Sequence, residues 1–408
     1  MSSDSIALPE WLNRAQKDDY TVIKVIPTLT KRERERAAAR AASRHKTHPS
    51  ALHRVAHLPA TSLADSNVTE HYSVSVACQP DNKQANRYDD VTPYDRTRVI
   101  IGHDGTEPSG RYINASWVRE AAGRKWWIAT QAPLPGTIHA FLSIILQPVS
   151  HPLPNQSPPA SITGSTSRIR TVVQLTKNVE SGMRKAHSYF PPEVGESWIT
   201  SPEPGCNAPY LKVTFVDVKT FEESHCVQST VSIQPLASLN SAEVQGEPVI
   251  FKHMLFSSWP DHSVPQPEDR VALLRFIRFV DETNRDISSQ PAEVRDQLDP
   301  DPPVMVGCSA GIGRTGTFIA LSSLFRFYRF LPPPASFLHE PDKDLPTLAP
   351  PPIGPLPDEI KDDLIVQEVD ALREQRPGMV QRNDQLHLIY ECLMTAFAQH
   401  MNGAENST

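Results

Sequence analysis

The segment of residues 304–317, Val-Met-Val-Gly-Cys-Ser-Ala-Gly-Ile-Gly-Arg-Thr-Gly-Thr, constrains the fold more than any other part of the chain. Its apolar start, its glycine-rich middle and the small and apolar residues that follow predict a buried strand that turns tightly into a helix. Gly311 and Gly313 let the backbone fold closely, with its amide N–H groups pointing inward. Those groups, with the helix N-terminus behind them, are suited to bind a dianion.

Cys308 and Arg314 supply the chemistry of this glycine-rich loop. The dipoles that bind an anion also stabilise a thiolate, so we expect Cys308 to act as a nucleophile at neutral pH. Arg314 adds a planar, permanently charged fork that can hold two phosphate oxygens. Thr315 could donate a hydrogen bond to the sulfur and help it to leave in a second step. The alternative, a buried inert cysteine at a strand end, is disfavoured by the spacing of the cysteine and the arginine.

A carboxylic acid for proton transfer occurs in Trp259-Pro260-Asp261. Cleavage of a phosphate ester needs a proton for the leaving oxygen, and an aspartate on a proline-bounded loop can supply it. Asp261 would act as the acid in the first step and as the base that activates water in the second. Trp259 would anchor the loop as it closes over the substrate. The alternative is an ordinary turn with an exposed aspartate, which its pairing with the cysteine loop disfavours.

Composition excludes several classes of protein. The 408 residues carry a net charge of −7, which argues against nucleic-acid binding, and 39% are hydrophobic, enough for a large core. The five cysteines include no Cys-x-x-Cys pair, so neither a disulfide framework nor a zinc site is expected. His53 and His57 could approach each other on a helix, but Pro49 interrupts the stretch and no acidic or thiol ligand accompanies them. We predict no metal and no cofactor.

The N-terminus shows no signal-peptide pattern, and no run approaches the roughly 18 apolar residues of a membrane span. The sequence therefore predicts no membrane partner and a cytoplasmic protein, with a nuclear location left open. Residues 30–33, Thr-Lys-Arg-Glu, have the form of a capping box at the start of a helix. Arginines at positions 32, 36, 40 and 44 would lie on one face of that helix. This face is either solvated or a docking strip for an acidic partner.

Two proline-rich segments interrupt the pattern of strands and helices, near 148–168 and at 331–357. Such segments cannot bury enough apolar surface to offset the entropy lost on ordering, so we interpret both as surface insertions. The second could bind an SH3 or WW module, although a spacer is the favoured interpretation. Strands are predicted at 99–101, 112–118, 126–130, 171–175, 211–218, 249–256 and 304–306, and helices at 137–146, 267–283, 313–330 and 360–375.

The motifs follow each other in the order found in tyrosine-specific protein phosphatases, which the sequence resembles over residues 86–400. Asn86-Arg87-Tyr88, together with Asp90, resembles the family's substrate-recognition loop. The resemblance implies that Tyr88 stacks on the phenyl ring of the substrate and that Asp90 holds the peptide backbone. A tyrosine wall deepens the pocket, so that a shorter phosphoserine would not reach the sulfur.

Other motifs resemble the family's core and the loops around its active site: Tyr112-Ile-Asn-Ala115, Ala129-Thr-Gln-Ala-Pro-Leu-Pro135, residues 180–191 and residues 375–381. The resemblance implies that Glu180 braces Arg314 and that Lys185 approaches Asp261. It implies that Gln381 positions the hydrolytic water, with Gln385 in support. The residues implied to bind the phosphoryl group along the loop are Ser309, Ala310, Gly311, Ile312 and Gly313.

One position beside the nucleophile departs from the family's pattern. The family usually has a histidine before the cysteine, which helps to stabilise the thiolate, whereas this chain has Gly307. The change puts the reactivity of Cys308 in question and keeps a phosphotyrosine-binding pseudophosphatase or scaffold as an alternative. Dual-specificity and lipid phosphatases are disfavoured, because Tyr88 deepens the pocket and the residues between Cys308 and Arg314 carry no cation.

The pattern and the resemblance together predict an α/β fold, in which a twisted mixed sheet is flanked by helices and carries the cysteine loop at a strand end. We divide the chain into an N-terminal extension with a basic helix (1–80), a catalytic domain (81–402) and a tail (403–408). The predicted function is hydrolysis of phosphotyrosine in proteins, through a cysteinyl-phosphate intermediate and in signalling. The family suggests a MAP kinase as the substrate partner.

Overall fold

The computed structural model describes residues 8–16, 18–47, 63–102, 110–146, 167–239, 244–261, 263–290, 292–335 and 350–405. His53 and His57 lie outside these residues, as do nearly all of the first proline-rich segment and the middle of the second. The interpretation of both segments as insertions, and of the second as a spacer or an SH3 or WW ligand, therefore stays a prediction.

A mixed sheet lies at the centre of the described structure. The strands in chain order are β1 (Arg98–Ile101), β2 (Arg111–Arg119), β3 (Trp126–Gln131), β4 (Thr171–Gln174), β5 (Val179–Glu180), β6 (Met183–Arg184), β7 (Ser197–Thr200), β8 (Tyr210–Phe221), β9 (Cys226–Leu236), β10 (Val249–Phe256) and β11 (Val304–Cys308). Among the described residues, nine of them form one sheet in the order β1-β2-β3-β11-β4-β10-β9-β8-β7, and β5 pairs with β6.

The middle of the sheet is parallel and its two sides are antiparallel. β11 pairs in parallel with β3 and β4, and β4 pairs in parallel with β10. All five residues of β11 are buried, as expected for a strand covered on both faces. The carboxyl ends of these four strands meet at one edge of the sheet, where the loops after them come together.

Helices cover both faces of the sheet. They are α1 (Glu10–Ala15), α2 (Asp18–Tyr20), a π-helical turn (Thr21–Val25), α3 (Ile26–Thr47), α4 (Leu63–His71), α5 (Pro80–Lys83), α6 (Ile138–Leu146), α7 (Pro267–Arg285), α8 (Gly313–Phe327), α9 (Leu364–Gln375) and α10 (Asn383–Glu405). Side chains of α7, α8, α9 and α10 form the larger hydrophobic core, and α6 packs into a second core on other strands of the sheet. The predicted class, an α/β fold with a mixed sheet between helices, is confirmed.

The predicted elements occur, with some different ends. The helix expected from residue 360 begins at Leu364, because Asp363 caps it by accepting hydrogen bonds from the amides of Ile365 and Val366. The helix expected to reach residue 330 ends at Phe327, and Arg329 follows in a left-handed conformation with φ 63°. The sequence did not predict the strands β5, β6, β7 and β9 or the helices α1, α2, α4, α5 and α10.

The basic face predicted for the N-terminal helix is largely buried. The side chain of Arg36 is fully buried and that of Arg32 is 7% exposed. Arg32 pairs with Asp370 at 2.8 Å, and Arg36 pairs with both Asp370 and Glu374 at 2.6 Å. The interpretation as a solvated face or a docking strip is therefore wrong for these two arginines, since their partners lie in α9 of the same chain.

The start predicted for that helix is also wrong. Residues 30–33 do not cap it, because α3 begins at Ile26 and continues directly from the π-helical turn. Trp11, Leu12 and Leu29 belong to the larger hydrophobic core, so the N-terminal helices pack on the same body as the sheet. The boundary after residue 80 stays a prediction.

Candidate active site

The loop between β11 and α8 has the geometry of an anion-binding cradle. Cys308, 6% exposed, ends β11 and Gly313 begins α8. The backbone N–H groups of Ser309 through Gly313 donate no hydrogen bond to any of the described residues, so they are available to an anion. Gly311 has φ +72°, and a Cβ added there would stand 2.1 Å from the carbonyl oxygen of Thr130. Only glycine fits this conformation and this approach.

Arg314 is held at the wall of the cradle by a carboxylate. Its Nη1 donates to Oε1 of Glu180 at 2.7 Å and its Nη2 to Oε2 at 2.8 Å. Glu180 is fixed in turn, since Oε1 also accepts from the hydroxyl of Thr176 and from the amide of Lys177, both at 2.9 Å. The structure therefore brings together the two residues that the resemblance pairs, in the bidentate geometry that fixes a guanidinium most firmly.

Asp261 lies beside Lys185 and Arg314. Its Oδ1 is 3.2 Å from Nζ of Lys185 and 3.7 Å from Nη2 of Arg314. Arg314 also donates to the carbonyl oxygen of Pro260 at 3.0 Å. Trp259 is buried, 3% exposed, and its indole N–H donates to the carbonyl oxygen of Ser263 at 3.1 Å. The loop is thus folded over the cradle, with its aspartate beside the cations.

Tyr88 lies beside the cradle and contacts its first residue after Cys308. Its hydroxyl lies 2.8 Å from Oγ of Ser309, and Ser309 donates to the carbonyl oxygen of Lys185 at 2.8 Å. The ring of Tyr88 is 38% exposed, and Asp90 is exposed beside it. Ser309 of the cradle therefore links Tyr88 to the loop that carries Lys185.

Gln381 precedes the first residue of α10, and Gln385 lies in the first turn of that helix. Gln381 is exposed, whereas Gln385 is 5% exposed and packs against Gly313, where an added Cβ would stand 2.9 Å from its Nε2. The loop before Gln381 touches the first turn of α8, because a Cβ on Gly316 would stand 2.5 Å from the amide nitrogen of Val380. The loop that carries the candidate water-positioning residue therefore packs directly on the cradle.

Thr315 is fully buried. Its hydroxyl forms no hydrogen bond within the part of the chain that the structure describes, including with the sulfur of Cys308. The expectation that Thr315 donates to the sulfur stays a prediction. Of the loop residues between the cysteine and the arginine, Ile312 packs into the hydrophobic core and Ala310 is half-buried.

Gly307 has no room for a side chain. A Cβ added there would stand 2.7 Å from the carbonyl oxygen of Thr130, the residue paired with it in β3. A backbone oxygen cannot move aside as the flexible end of a side chain can, so a larger residue at position 307 would disturb the sheet.

A small cavity lies next to Gly307 and Cys308, and Tyr189 also lines it. The hydroxyl of Tyr189 makes no hydrogen bond to a described residue.

Arg376 is a residue of the site that the sequence reasoning did not single out, although it lies inside the quoted segment 375–381. It is fully buried and donates to the carbonyl oxygens of Ala310 and Gly311 at 3.1 and 2.8 Å. It also donates to Oδ1 of Asn114 at 2.9 Å and to Oγ of Ser116 at 3.2 Å. Burial lowers the pKa of Arg376 to about 10, so the guanidinium keeps its charge at neutral pH.

The described ranges contain neither a candidate metal site nor a candidate membrane-spanning helix. No group of three or more His, Cys, Asp or Glu side chains there could hold a metal ion. No described helix combines the length and the apolar character that crossing a membrane requires.

The family model for protein-tyrosine phosphatase matches residues 82–151 and 165–329, more than half of the chain. Among curated relatives, tyrosine-protein phosphatase non-receptor type 2 of Rattus norvegicus is 28% identical over 341 residues, which are 83% of this chain and 62% of that protein. Tyrosine-protein phosphatase non-receptor type 20 of Mus musculus is 26% identical over 319 residues, 77% of this chain and 54% of that protein.

Phosphatidylinositol phosphatase PTPRQ of Homo sapiens is 29% identical over 245 residues, 60% of this chain and 8% of that protein. The chain thus spans less than two thirds of the length of each of these relatives. The matched residues contain Cys308 and its cradle, the Asp261 loop and Tyr88. On this match and this geometry, the chain belongs to the protein-tyrosine phosphatase family.

Proposed function

We propose that the protein hydrolyses phosphotyrosine in proteins, with Cys308 as the nucleophile. The observation that carries this proposal is the convergence of three groups on one loop. The free amides of the loop and the fork of Arg314 can hold the phosphoryl oxygens, while Asp261 lies beside that fork at the mouth of the cleft. Phosphoryl transfer needs charge to be stabilised on the phosphoryl oxygens and a proton to reach the leaving oxygen, and these three groups could meet both needs.

In the first step, the sulfur of Cys308 attacks the phosphorus and the bond from phosphorus to the tyrosine oxygen breaks. Asp261 donates its proton to the leaving phenolate oxygen, and a cysteinyl phosphate remains. The amides of the loop and Arg314 stabilise the charge on the three equatorial oxygens throughout. In the second step, Asp261 accepts a proton from water as the water attacks the phosphorus, and the bond from sulfur to phosphorus breaks.

Gln381, with Gln385, is proposed to orient that water, because its loop packs on the first turn of α8. Thr315 is proposed to assist the departing sulfur. Lys185 would orient Asp261, from which its Nζ is 3.2 Å away. Phosphate and unmodified tyrosine are the products.

The substrate class we propose is phosphotyrosine in proteins. Tyr88 stands beside Ser309 at the entrance, so the phosphoryl group must cross the depth of its ring to reach the sulfur. Asp90, exposed next to Tyr88, would hold the backbone of the bound peptide. A role in signalling, a MAP kinase substrate and a cytoplasmic or nuclear location stay predictions from the sequence.

A phosphotyrosine-binding scaffold is the second candidate, and Gly307 is the observation that favours it. Without an imidazole beside Cys308, the cradle could bind the phosphoryl group and react slowly. A lipid phosphatase, the activity named for one relative, is disfavoured by the uncharged residues between Cys308 and Arg314.

Hydrolysis of matched phosphotyrosine and phosphoserine peptides by the pure protein decides between these functions. We expect release of phosphate from the phosphotyrosine peptide alone, and none from either by Cys308→Ser. Asp261→Ala should bind the phosphotyrosine peptide as the wild type does, with kcat reduced about 100-fold or more. Equal background rates for the wild type and Cys308→Ser would leave only the scaffold, and a wild-type kcat in Asp261→Ala would remove the aspartate from the mechanism.

A further inference from the structure

We propose that Arg376 is a positioning residue that sets the orientation of the anion cradle and supplies its second cation. The inference rests on the proposed function, since it assigns a role in the binding of the phosphoryl group. Arg376 follows α9, far from the cradle in sequence, and does not face the substrate. It acts through the backbone of the loop that does.

The first argument comes from the geometry of the peptide bond. Nε of Arg376 binds the carbonyl oxygen of Gly311 at 2.8 Å, and Nη2 binds that of Ala310 at 3.1 Å. In a planar trans peptide the carbonyl and the next N–H point in opposite directions. Holding these two oxygens on the outer side therefore turns the N–H groups of Gly311 and Ile312 towards the inside, where an anion would bind.

The second argument comes from charge. Arg314 is neutralised by the carboxylate of Glu180, whereas no Asp or Glu within the described ranges pairs with Arg376. A fully buried guanidinium without a counter-ion is costly to the fold. Of the ionisable groups that act on Arg376, Tyr112 and Cys308 favour its charged form. We infer that an anion at the cradle, either a thiolate at Cys308 or a bound phosphoryl group, would supply the negative charge that Arg376 lacks.

The third argument comes from the contact with Asn114. The side chain of Asn114 accepts from Arg376 at 2.9 Å and donates to Oδ1 of Asn86 and to the carbonyl oxygen of Val91. Asn86 and Val91 bracket the loop that carries Tyr88. Arg376 therefore holds the cradle directly. Through the side-chain amide of Asn114, it also holds the loop that carries Tyr88.

Because residue 307 is a glycine, the positive charge of Arg376 is more important in this chain. The family usually has a histidine next to its nucleophile, but this chain has no imidazole at that position and no room for one beside Thr130. Among the described residues, Arg314, with Glu180 and Asp261 around it, lies in the first turn of the helix at the cradle, and Arg376 binds the carbonyl oxygens of the cradle. Of these, Arg376 alone has no carboxylate partner among the described residues.

The test uses alkylation of Cys308 by iodoacetate, measured as a function of pH on the peptide that contains Cys308. Protection of Cys308 by inorganic phosphate gives a second readout, and neither requires turnover. The variants are Arg376→Lys, which keeps the charge and loses the fork, and Arg376→Met, which loses both. Arg170→Lys is the matched control, because Arg170 is also buried and donates to three carbonyl oxygens, those of Asn284, Asp299 and Pro300.

In Arg376→Lys, we expect the midpoint of alkylation to move up by about one pH unit and phosphate protection to weaken about tenfold. Arg376→Met should show larger changes in the same direction. Arg170→Lys should lose thermal stability and keep both wild-type values. A wild-type midpoint and wild-type protection in Arg376→Lys would overturn the inference, and this variant decides if Arg376→Met does not fold. If the wild type itself shows no protection by phosphate, the proposed function fails first and the inference fails with it.

Discussion

The phenol oxygen of Tyr88 lies 2.8 Å from the hydroxyl oxygen of Ser309, the residue directly after Cys308. Ser309 donates to the carbonyl oxygen of Lys185, so the shared proton between the two hydroxyls comes from Tyr88. The side chain of Tyr88 is thus tied to the cradle by a single exposed hydrogen bond, and we propose that its ring supplies the depth of the pocket.

This relationship predicts different effects for two substitutions at Tyr88. Tyr88→Ala removes the ring, and with it the stacking surface, so kcat/KM for a phosphotyrosine peptide should fall about tenfold. The preference for phosphotyrosine over phosphoserine should narrow as well. Tyr88→Phe keeps the ring and loses one exposed hydrogen bond, which should change kcat/KM only about two- to fivefold. Steady-state kinetics on both peptides measure this. An equal loss in both variants would mean that the hydroxyl, and not the ring, forms the wall.

Gly307→Ala should destabilise the protein. The new methyl group would stand 2.7 Å from the carbonyl oxygen of Thr130, and backbone in the centre of a sheet cannot move away without cost. Overpacking of this kind costs about 1–3 kcal/mol of unfolding free energy, measurable by urea denaturation. Gly136→Ala is the control, since nothing lies within 4 Å of the added Cβ. A Gly307→Ala protein as stable as the control would contradict the close approach of Thr130.

Arg36→Met should be one of the most damaging changes in the N-terminal helix. The side chain of Arg36 is fully buried, and its loss would leave the carboxylates of Asp370 and Glu374 without one of their buried partners. Breaking a buried pair in this way costs about 3–5 kcal/mol. Arg34→Met, on the exposed face of the same helix, should cost less than about 0.5 kcal/mol. Similar urea midpoints for the two variants would show that the network contributes little.

Glu368 should make the stability of the fold depend on pH. Burial, with Glu120 nearby, raises the pKa of Glu368 to about 7, although Ser323 and the amides of Ala121 and Ala122 donate to it. A carboxyl group whose pKa is higher in the folded than in the unfolded chain binds its proton more tightly when folded. The contribution of Glu368 to the free energy of unfolding is therefore largest below about pH 4.5. It decreases as the pH rises to about 7.

Glu368→Gln removes this titration. The stability of the variant relative to the wild type should rise by about 1–3 kcal/mol between pH 5 and pH 8. Glu359→Gln, which changes an exposed carboxylate, should show no such trend. Urea denaturation at several pH values measures both. A constant difference between Glu368→Gln and the wild type would mean that Glu368 ionises in the folded protein as it does in the unfolded chain.

The strand, the glycine-rich turn and the helix around Cys308 were predictable because local patterns determine them. Apolar residues before the cysteine indicate the strand, and Gly311 is needed at a left-handed position that touches another backbone. The order of the motifs then placed Asp261 and Glu180 at the same edge of the sheet. The carboxyl ends of β4, β10 and β11 do meet there. Asp261 lies in the segment after β10, and Glu180 lies in the short strand β5 after β4.

The contacts of Arg36 and Arg376 could not be predicted in the same way. Arginines every four residues indicate a charged face, but the pattern does not reveal whether water or another helix covers it. Asp370 and Glu374, also four residues apart, are the matching signal in α9, and only the fold brings the two patterns together. Arg376 binds carbonyl oxygens, which exist at every position and leave no trace in the sequence.

The pairing of Arg32 with Asp370 joins residues 338 positions apart, and this distance has a consequence for the protein as it is made. At about 5–20 residues per second, a ribosome needs roughly 20–70 s to synthesise the intervening chain. During that time α3 has left the exit tunnel, but its arginines have no carboxylates to bind. Helix α3 is therefore made long before its native partners in α9, and it has to wait for them.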